Sequence, residues 1–521
     1  MQASVFGDGA GKWFQIQGLI AQNFSSLACD YDTAFDPRFQ WMPGPWYFYH
    51  VVDGVCFYGY QYPYAFLAAP FVKFFPEYGY YLLNFLFLAA FVFFAKRIAR
   101  FVFPERPEPA ELLMGLLAFL VIPSPAFAFD LSEVTLALAM VTGGLLLTLR
   151  GAGFSTKAID PRPTLLFAGG YVTALIFALR TETAMYLATT TIALAFIASR
   201  DSIGASRETL RSEFVTMIRA AFKTTAPYVA GALVALACVI VFHLLAFGNL
   251  AGNRGSTHAA LVFFDFDVSR QLNIARILLF GGPLGLFSSL PSLILAALWL
   301  VFPGARQAAG RAGAFCMLAC LPYICLVLIT APNDAGYSWS PRYLAFVFVP
   351  LYLCILTMLL RWPVLRRWYV TVGLGLLFAH AAHFTHAGMK ILQRTSKQNL
   401  QYSQAIEKLS SDVLVIDAAP AIGFLSENLL NQKRIYMTLA KDNAQALMNQ
   451  LAATGVREFI YIRTPLREPT LELTMPVNST AGGAFRSSGT PDAVVDGMQL
   501  YVMRLQPGGI QNQSDESGGA P

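Results

Sequence analysis

The stretch Phe6-Gly7-Asp8-Gly9-Ala10-Gly11-Lys12-Trp13-Phe14-Gln15 opens a polar and aromatic segment, Met1 to about Tyr78, that stands ahead of a long run of apolar stretches. Its glycines allow the backbone to bend tightly around the acid, and Trp13, Ile16 and Ile20 recur at helical spacing. The pattern predicts a short amphipathic helix in the membrane interface, which presents Asp8 to a cavity at the membrane surface.

The composition sets the class of protein. Of 521 residues, 56% are hydrophobic and only 13% are charged, and the mean hydropathy is +0.51. Soluble proteins are far less apolar than this. The net charge of +6 does not indicate nucleic-acid binding, because the basic residues lie mostly in short loops between apolar stretches. We therefore expect a mainly α, polytopic transmembrane helical bundle whose partners include membrane lipids.

About ten apolar stretches approach the length of about 20 residues that a membrane-spanning helix needs. They are approximately Gly79 to Phe94, Ala110 to Ile122, Leu131 to Leu149, Leu165 to Leu179, Ala184 to Ala198, Ala226 to Phe247, Leu284 to Phe302, Ala312 to Thr330, Leu344 to Leu360 and Tyr369 to Phe384.

Arginine and lysine are concentrated in every second loop, which the positive-inside rule places in the cytoplasm. The first segment, the remaining loops and everything after about Ala387 are then extracytoplasmic, and the protein is a multi-pass protein of the inner (plasma) membrane. A chain that begins on the far side without a signal segment is expected to lack a preceding helix upstream of Met1. The alternative is that the following helix carries a short tail across.

Residues 1–386 are accordingly predicted to form the transmembrane domain, with residues 1–78 as its first outer loop. Residues 387–505 alternate apolar runs typical of strands with helical patterns, which predicts a small extracytoplasmic α/β domain. This range has no glycine-rich phosphate loop and no His or Cys cluster, so docking or acceptor positioning is its expected role. Residues 506–521 are expected to be a disordered tail.

Charged residues recur at the outer ends of the apolar stretches. Asp130 and Glu133 precede one stretch, the turn Arg180-Thr181-Glu182 separates two others, the glycine-rich turn Gly248 to Gly255 carries Arg254, and Pro341-Arg342-Tyr343-Leu344 opens another. Any one of them could be a solvated surface charge. The three arginines, however, lie on the side that the positive-inside rule disfavours.

These residues resemble the motifs of the GT-C superfamily of membrane glycosyltransferases, which includes the protein mannosyltransferases and the lipid A aminoarabinose transferases. The resemblance covers about Met1 to Phe384. It consists of the outer-loop acid Asp8, the second acid Glu133, the Arg180–Glu182 turn, the turn at 248–255 and the Pro-Arg-Tyr-Leu sequence at 341–344. The sequence departs from the pattern in lacking the first span and in having one acid, not a pair, at Asp8.

The resemblance implies transfer of a sugar from a polyprenyl-phosphate carrier to a lipid, glycan or protein acceptor on the extracytoplasmic face. We expect no cofactor and no metal. It makes Asp8 the candidate base, with Glu133 as the second catalytic candidate. Arg342, Arg254 and Arg180 become candidate ligands of the donor phosphate, since arginine binds phosphate oxygens in bidentate fashion. Arg180 and Glu182 are better explained as an internal pair that shapes the cavity, together with Asp130.

Other functions fit the composition. A transporter or flippase of lipid-linked sugars is the main alternative, although no internal repeat is visible, and a scaffold protein is a weaker one. Asp30 and Asp32 have the spacing of metal-binding acids, but the nucleotide-sugar donor that such a metal serves is absent outside the cell.

Two further features of the first segment have competing explanations. Cys29 and Cys56 are either a disulfide or two free thiols, and an oxidising compartment favours the disulfide. The aromatic run is expected to form an interfacial belt, with stacking against acceptor sugar or lipid as a secondary role. It comprises Trp41, Trp46, Tyr47, Phe48 and Tyr49.

Overall fold

A computed structural model describes residues 8–44, 48–76, 78–155, 159–203, 210–250, 252, 267–282, 285–331, 342–417, 425, 427–438, 441–463, 471–477, 483–495 and 498–507. The chain forms two compact units. The helical unit consists of Gly18–Ala28 and His50–Arg394, and the sheet unit consists of Met1–Gln17, Cys29–Tyr49 and Thr395–Pro521. The sheet unit thus draws on both ends of the chain, whereas the sequence assigned all of residues 1–78 to the transmembrane domain.

The described elements of the first half of the chain are mostly helical. They are α1 Asp8–Ala21, β1 Tyr49–Val52, β2 Val55–Tyr58, α2 Tyr62–Phe74, α3 Gly79–Val102, α4 Pro107–Leu116 with a π-helical continuation Leu117–Val121, α5 Ser124–Ala128, α6 Val134–Gly151, α7 Pro163–Leu175 with a 3₁₀ turn Ile176–Ala178, α8 Thr183–Ile203 and α9 Leu210–Phe247.

The helices continue to the start of the C-terminal sheet. They are α10 Val268–Phe280, α11 Leu286–Ser289, a 3₁₀ segment Pro291–Ala297, α12 Leu298–Val301, α13 Pro303–Thr330, a 3₁₀ segment Arg342–Val347, α14 Phe348–Arg361, a 3₁₀ turn Pro363–Arg366 and α15 Trp368–Glu407.

Within the described residues, five helices are long and apolar enough to cross a membrane: Gly79–Val102, Val134–Gly151, Glu213–Phe247, Pro303–Thr330 and Arg342–Arg361. The prediction of a polytopic helical membrane protein is confirmed. The other predicted spans are not among these five helices. The stretch Leu284 to Phe302 is divided into α11, a 3₁₀ segment and α12, and the 3₁₀ segment begins at Pro291, whose ring cannot continue an α-helix from the preceding residues.

Helices α3 and α6 run in the same direction, and they order the charges of the helical unit. At their C-terminal ends, the Ser155 hydroxyl donates to the Phe101 carbonyl at 2.8 Å, and the guanidinium carbon of Arg150 lies 5.8 Å from the Phe101 ring. At their N-terminal ends, the Asn84 amide donates to the Asp130 carbonyl at 2.8 Å. Basic residues predicted to be cytoplasmic therefore lie at one end of these helices, and the acid-rich turn before α6 lies at the other.

The C-terminal sheet has seven described strands: β3 Val413–Ile416, β4 Arg434–Met437, β5 Glu458–Arg463, β6 Thr474–Val477, β7 Gly483–Arg486, β8 Ala493–Val495 and β9 Met498–Pro507. Their order is β4-β3-β5-β9-β7-β6, and β8 pairs with β9. Strands β4, β3 and β5 are parallel, and the other pairings are antiparallel. Helices α16 Glu427–Gln432 and α17 Lys441–Ala453 connect the parallel strands.

The predicted α/β fold of the C-terminal region is confirmed. Four of its seven described strands, β3, β4, β5 and β9, were predicted from the sequence. The three strands that the sequence did not predict, β6, β7 and β8, are short, and β6 contains Pro476. Such strands have too few alternating apolar residues to stand out in a sequence.

Residues near the amino terminus complete this sheet unit. Phe35 and Trp41 belong to the same hydrophobic core as Val415, Tyr436 and Phe459 of the sheet. The backbone N–H of Met437, on the edge strand β4, donates to the carbonyl of Trp41 at 3.1 Å. Trp41 is only 6% exposed, so the expectation that it belongs to an interfacial belt is wrong, while Trp46 and Tyr47 of the same run lie outside the described residues. Its segment covers a sheet edge that would otherwise offer unpaired backbone groups.

The predicted disulfide is confirmed. Cys29 and Cys56 are both disulfide-bonded, whereas the other five cysteines are free thiols. An antiparallel bridge between Ala28 and Phe57 is formed by their direct chain neighbours. Strands β1 and β2 are joined through Asp53 and Gly54, which both have positive φ (50° and 77°), as a two-residue hairpin turn requires.

Candidate active site

Four of the predicted site residues meet at one end of the helical unit, around Tyr343. We call Glu133, Arg180, Glu182, Arg342 and Tyr343 the charged cluster. Oε1 of Glu182 accepts hydrogen bonds from Nε of Arg180 at 2.6 Å and forms an ion pair with Nη2 at 2.5 Å. Nη1 of the same guanidinium lies 3.5 Å from Oε1 of Glu133. Arg180 thus bridges two carboxylates.

Local backbone structure fixes these three side chains. The Arg180 N–H donates to the carbonyl of Ile176 at 2.8 Å, which ends the 3₁₀ turn after α7. The Thr183 hydroxyl donates to the Arg180 carbonyl at 2.7 Å, and α8 begins at Thr183. Glu133 directly precedes α6, and its carbonyl accepts from Ala137. The two acids and the arginine therefore lie at ordered helix ends and not on long loops.

Tyr343 is a shared neighbour of two arginines. The guanidinium carbons of Arg180 and Arg342 each lie 5.8 Å from the centroid of its ring, a distance at which a cation is attracted by an aromatic face. The ring is 6% exposed, and the Tyr343 carbonyl accepts from the Tyr323 hydroxyl at 2.8 Å. The 3₁₀ segment that begins at Arg342 is thereby tied to α13.

A polar network that the sequence did not predict supports the turn between α5 and α6. Nδ2 of Asn84, in α3, donates to the Asp130 carbonyl at 2.8 Å. Its Oδ1 accepts from the hydroxyls of Tyr64 at 3.0 Å and Thr135 at 3.3 Å. Asn84 is fully buried. One signal could have identified it, because it is a lone amide in an apolar stretch, where a polar side chain usually has a specific partner.

The negative charge of this turn affects the pKa of Tyr64. Burial raises the pKa of the Tyr64 phenol, the hydrogen bond with Asn84 opposes the rise, and the charges of Glu133 and Asp130 add to it. The phenol is therefore protonated at neutral pH and remains a donor to Asn84. The same residue links α2 to the acid-rich turn.

The remaining predicted site residues are placed differently. Asp130 belongs to the turn that Asn84 holds. Asp8 is the first residue of α1, and residues 8–17 of that helix belong to the sheet unit. The Asp8 side chain and Arg254 lie outside the described part of the chain. The predicted helix at Trp13 is confirmed. Trp13 and Ile16 are 1% and 0% exposed, so the expectation that the apolar face of this helix lies in the membrane interface is wrong.

No group of three or more His, Cys, Asp or Glu side chains that could hold a metal ion occurs among the described residues. Asp32, one of the two acids with metal-like spacing, has a local role, because its Oδ1 accepts from the backbone N–H of Phe35 at 3.1 Å. That bond caps the turn before Trp41.

No protein-family model matches this sequence, and no curated protein matches it. The structure of ArnT from Cupriavidus metallidurans bound to undecaprenyl phosphate is similar to this chain over nearly its whole length. The TM-score is 0.53 at 12% sequence identity, and the match covers 96% of this chain and 94% of ArnT. The chain has a GT-C-like fold. At this identity the similarity establishes the fold alone, and the GT-C-like fold agrees with the resemblance seen in the sequence motifs.

Proposed function

We propose that the protein is a membrane glycosyltransferase that moves a sugar from a polyprenyl-phosphate carrier to an acceptor hydroxyl on the extracytoplasmic face. In the reaction, the bond between the anomeric carbon and the phosphate oxygen breaks, and a bond between that carbon and the acceptor oxygen forms. Polyprenyl phosphate leaves with the electron pair of the broken bond. The proton of the acceptor hydroxyl passes to a carboxylate, for which Asp8 is our candidate, and from there to solvent.

The observation that carries the proposal is the charged cluster in a GT-C-like fold. The leaving phosphate gains charge as the bond breaks, so a fixed cation stabilises it in the transition state more than before reaction. Arg342 is our candidate for that cation, and Arg254 is the second. The similarity to ArnT, solved with undecaprenyl phosphate bound, supports a carrier of this chemical class.

The geometry favours different roles for Arg180 and Arg342. The guanidinium of Arg180 contacts the carboxylates of Glu133 and Glu182, and its side chain is 6% exposed. A cation matched by two anions has little net charge to offer a phosphate. We propose that Arg180 fixes the shape of the cluster through Glu182 and Tyr343, and that Arg342 contacts the donor.

The same contacts favour Asp8 over Glu133 as the base. Uptake of a proton by Glu133 would remove a negative charge that faces Arg180 at 3.5 Å in a site where the Glu133 side chain is 9% exposed. Losing an ion partner in a buried site is costly. Glu133 is therefore proposed to stay ionised throughout the reaction and to act electrostatically.

The test uses purified protein in lipid nanodiscs and a polyprenyl-phosphate sugar with a radiolabelled sugar. We expect release of polyprenyl phosphate together with label on an acceptor drawn from a membrane extract. In sealed proteoliposomes, movement of the intact labelled lipid between leaflets without cleavage would instead identify a flippase. If the labelled polyprenyl-phosphate sugar stays intact and in its original leaflet with every membrane extract supplied, both the glycosyltransferase and the flippase functions are contradicted.

A further inference from the structure

We infer that the sheet unit is the support that holds helix α1, and that Trp13 and Asn431 are positioning residues for the carboxylate at the start of that helix. The inference rests on the proposed function in one respect, namely that Asp8 acts in the reaction. On this inference, the C-terminal region holds the amino-terminal segment in place.

The first attachment is a long-range hydrogen bond. The indole N–H of Trp13 donates to Oδ1 of Asn431, in α16, at 3.0 Å, across a sequence separation of 418 residues. Trp13 is 1% exposed. It lies five residues after Asp8, or about one and a half helical turns. Because a helix is stiff over so short a distance, fixing the indole fixes where the helix begins.

A second attachment holds the chain that follows α1. Oδ2 of Asp36 accepts from the Tyr31 hydroxyl and from the backbone N–H of Trp41, each at 2.8 Å, and Asp36 is 1% exposed. Burial and the Asp36 carboxylate raise the pKa of Tyr31, so this phenol is a constant donor at neutral pH. The buried acid thus fixes a compact turn.

That turn is bound to α17 of the sheet unit at two points. Nε2 of Gln450 donates to the Phe35 carbonyl at 3.1 Å, and the indole N–H of Trp41 donates to the Asn443 carbonyl at 3.0 Å. Since Phe35 and Trp41 also lie in the hydrophobic core of the sheet, this segment is part of the unit and not a peripheral loop. The amino-terminal segment is therefore attached to the sheet unit before Cys29, through Trp13, and after it, through Phe35 and Trp41.

The functional consequence follows from geometry. A general base must be held at a defined distance from the proton it removes, and an error of about 1 Å can lower the rate by about 10²-fold. Helix α1 is only 14 residues long. An isolated helix of this length is barely stable in water, so it depends on packing for its position.

The test compares three variants of the full-length protein in nanodiscs. Asn431→Leu removes the acceptor, Trp13→Phe removes the N–H but keeps an aromatic ring, and Asn431→Asp keeps an oxygen that can accept the bond. We expect faster amide exchange in residues 8–21 and a turnover lowered about 10-fold or more for the first two variants, at unchanged donor KM. Asn431→Asp should retain both properties of the parent.

Each outcome decides the inference. Unchanged exchange in residues 8–21 in both Asn431→Leu and Trp13→Phe would show that the bond does not hold the helix. Faster exchange with full turnover would show that the position of α1 is irrelevant to the reaction. The proposed function is judged separately, since release of polyprenyl phosphate by the parent protein and the effect of Asp8→Asn are measured in the same assay. Loss of turnover in Asp8→Asn alone would leave the function standing and overturn the positioning role.

Discussion

Arg180 and Glu182 are only two residues apart, yet their side chains form a close ion pair, in which one carboxylate oxygen lies 2.6 Å from Nε and 2.5 Å from Nη2. The side chains are 6% and 14% exposed. An ion pair in such a site contributes little net stability when intact, but removing one partner leaves an uncompensated buried charge. The pair is therefore a sensitive place to test how the charged cluster is held.

We predict that Arg180→Ala destabilises the protein strongly, by about 3–5 kcal/mol, because the buried Glu133 carboxylate and the partly buried Glu182 carboxylate both lose their cation. The measurement is thermal unfolding of purified protein in detergent. Glu182→Gln should cost less, since the amide oxygen can still accept from Nε and the arginine keeps Glu133. The change Arg504→Ala, at an ion pair with Glu458 in which the arginine side chain is 65% exposed, provides the control and should leave the unfolding temperature near that of the parent. Equal shifts for Arg180→Ala and Arg504→Ala would mean that the buried cluster is not formed.

A second prediction concerns Asn84. The change Asn84→Leu leaves the buried Tyr64 hydroxyl without its acceptor and should cost about 1–3 kcal/mol of stability. The Asp130 carbonyl loses the amide donor of Asn84 and keeps the N–H of Ser132 at 2.8 Å. Asn84→Asp keeps an acceptor for Tyr64 and Thr135 but cannot donate to Asp130, so it separates the two halves of the network. Thr135→Val is the milder control, since it removes only the bond of 3.3 Å.

If Asn84 positions the acid-rich turn, turnover in Asn84→Asp should fall about 10-fold or more while the donor KM changes little. A variant that only lost stability would show full turnover per folded molecule at low temperature. Full turnover would therefore limit Asn84 to a structural role.

The sequence predicted the helical membrane fold and the position of the charged residues at helix ends, because both depend on local patterns of apolar and basic residues. It did not predict the partners of Trp13 and Trp41. Those partners, Asn431 and Asn443, are separated from them by 418 and 402 residues, and no local pattern reports such a contact. An amphipathic aromatic helix looks the same whether its apolar face meets lipid or a distant part of the same chain. Likewise, Tyr343 appeared only as a neighbour of Arg342, and its contact with Arg180 depends on tertiary packing.

The predicted membrane orientation can be tested with single cysteines. Ser155 lies at the end of the helical unit that carries the predicted cytoplasmic arginines, and Ser410 lies in the exposed part of the sheet unit. In a background without the native cysteines, Ser410→Cys should react with a membrane-impermeant maleimide in intact cells, and Ser155→Cys should react only after the membrane is opened. The companion positions Ser206, inside, and Ser256, outside, lie outside the described residues and extend the test. Labelling of Ser155→Cys in intact cells would reverse the orientation and, with it, the extracytoplasmic reaction.

The last prediction separates the proposed roles of Asp8, Arg342 and Glu133. Asp8→Asn keeps shape and hydrogen bonding but cannot take a proton, so turnover should fall by about 10²-fold or more while donor binding survives. Arg342→Lys keeps the charge but loses the planar fork that binds two phosphate oxygens, so donor binding and turnover should both weaken.

Glu133→Gln is the matched comparison, because it removes a carboxylate that contacts Arg180 and is proposed to stay ionised. It should lower turnover much less than Asp8→Asn, and its main effect should be on stability. Turnover and binding of a labelled polyprenyl-phosphate sugar are measured for all three variants at equal amounts of folded protein in the membrane. Parent-like turnover in Asp8→Asn together with a loss of about 10²-fold in Glu133→Gln would transfer the role of base to Glu133, since a general base of this kind contributes about that much to the rate.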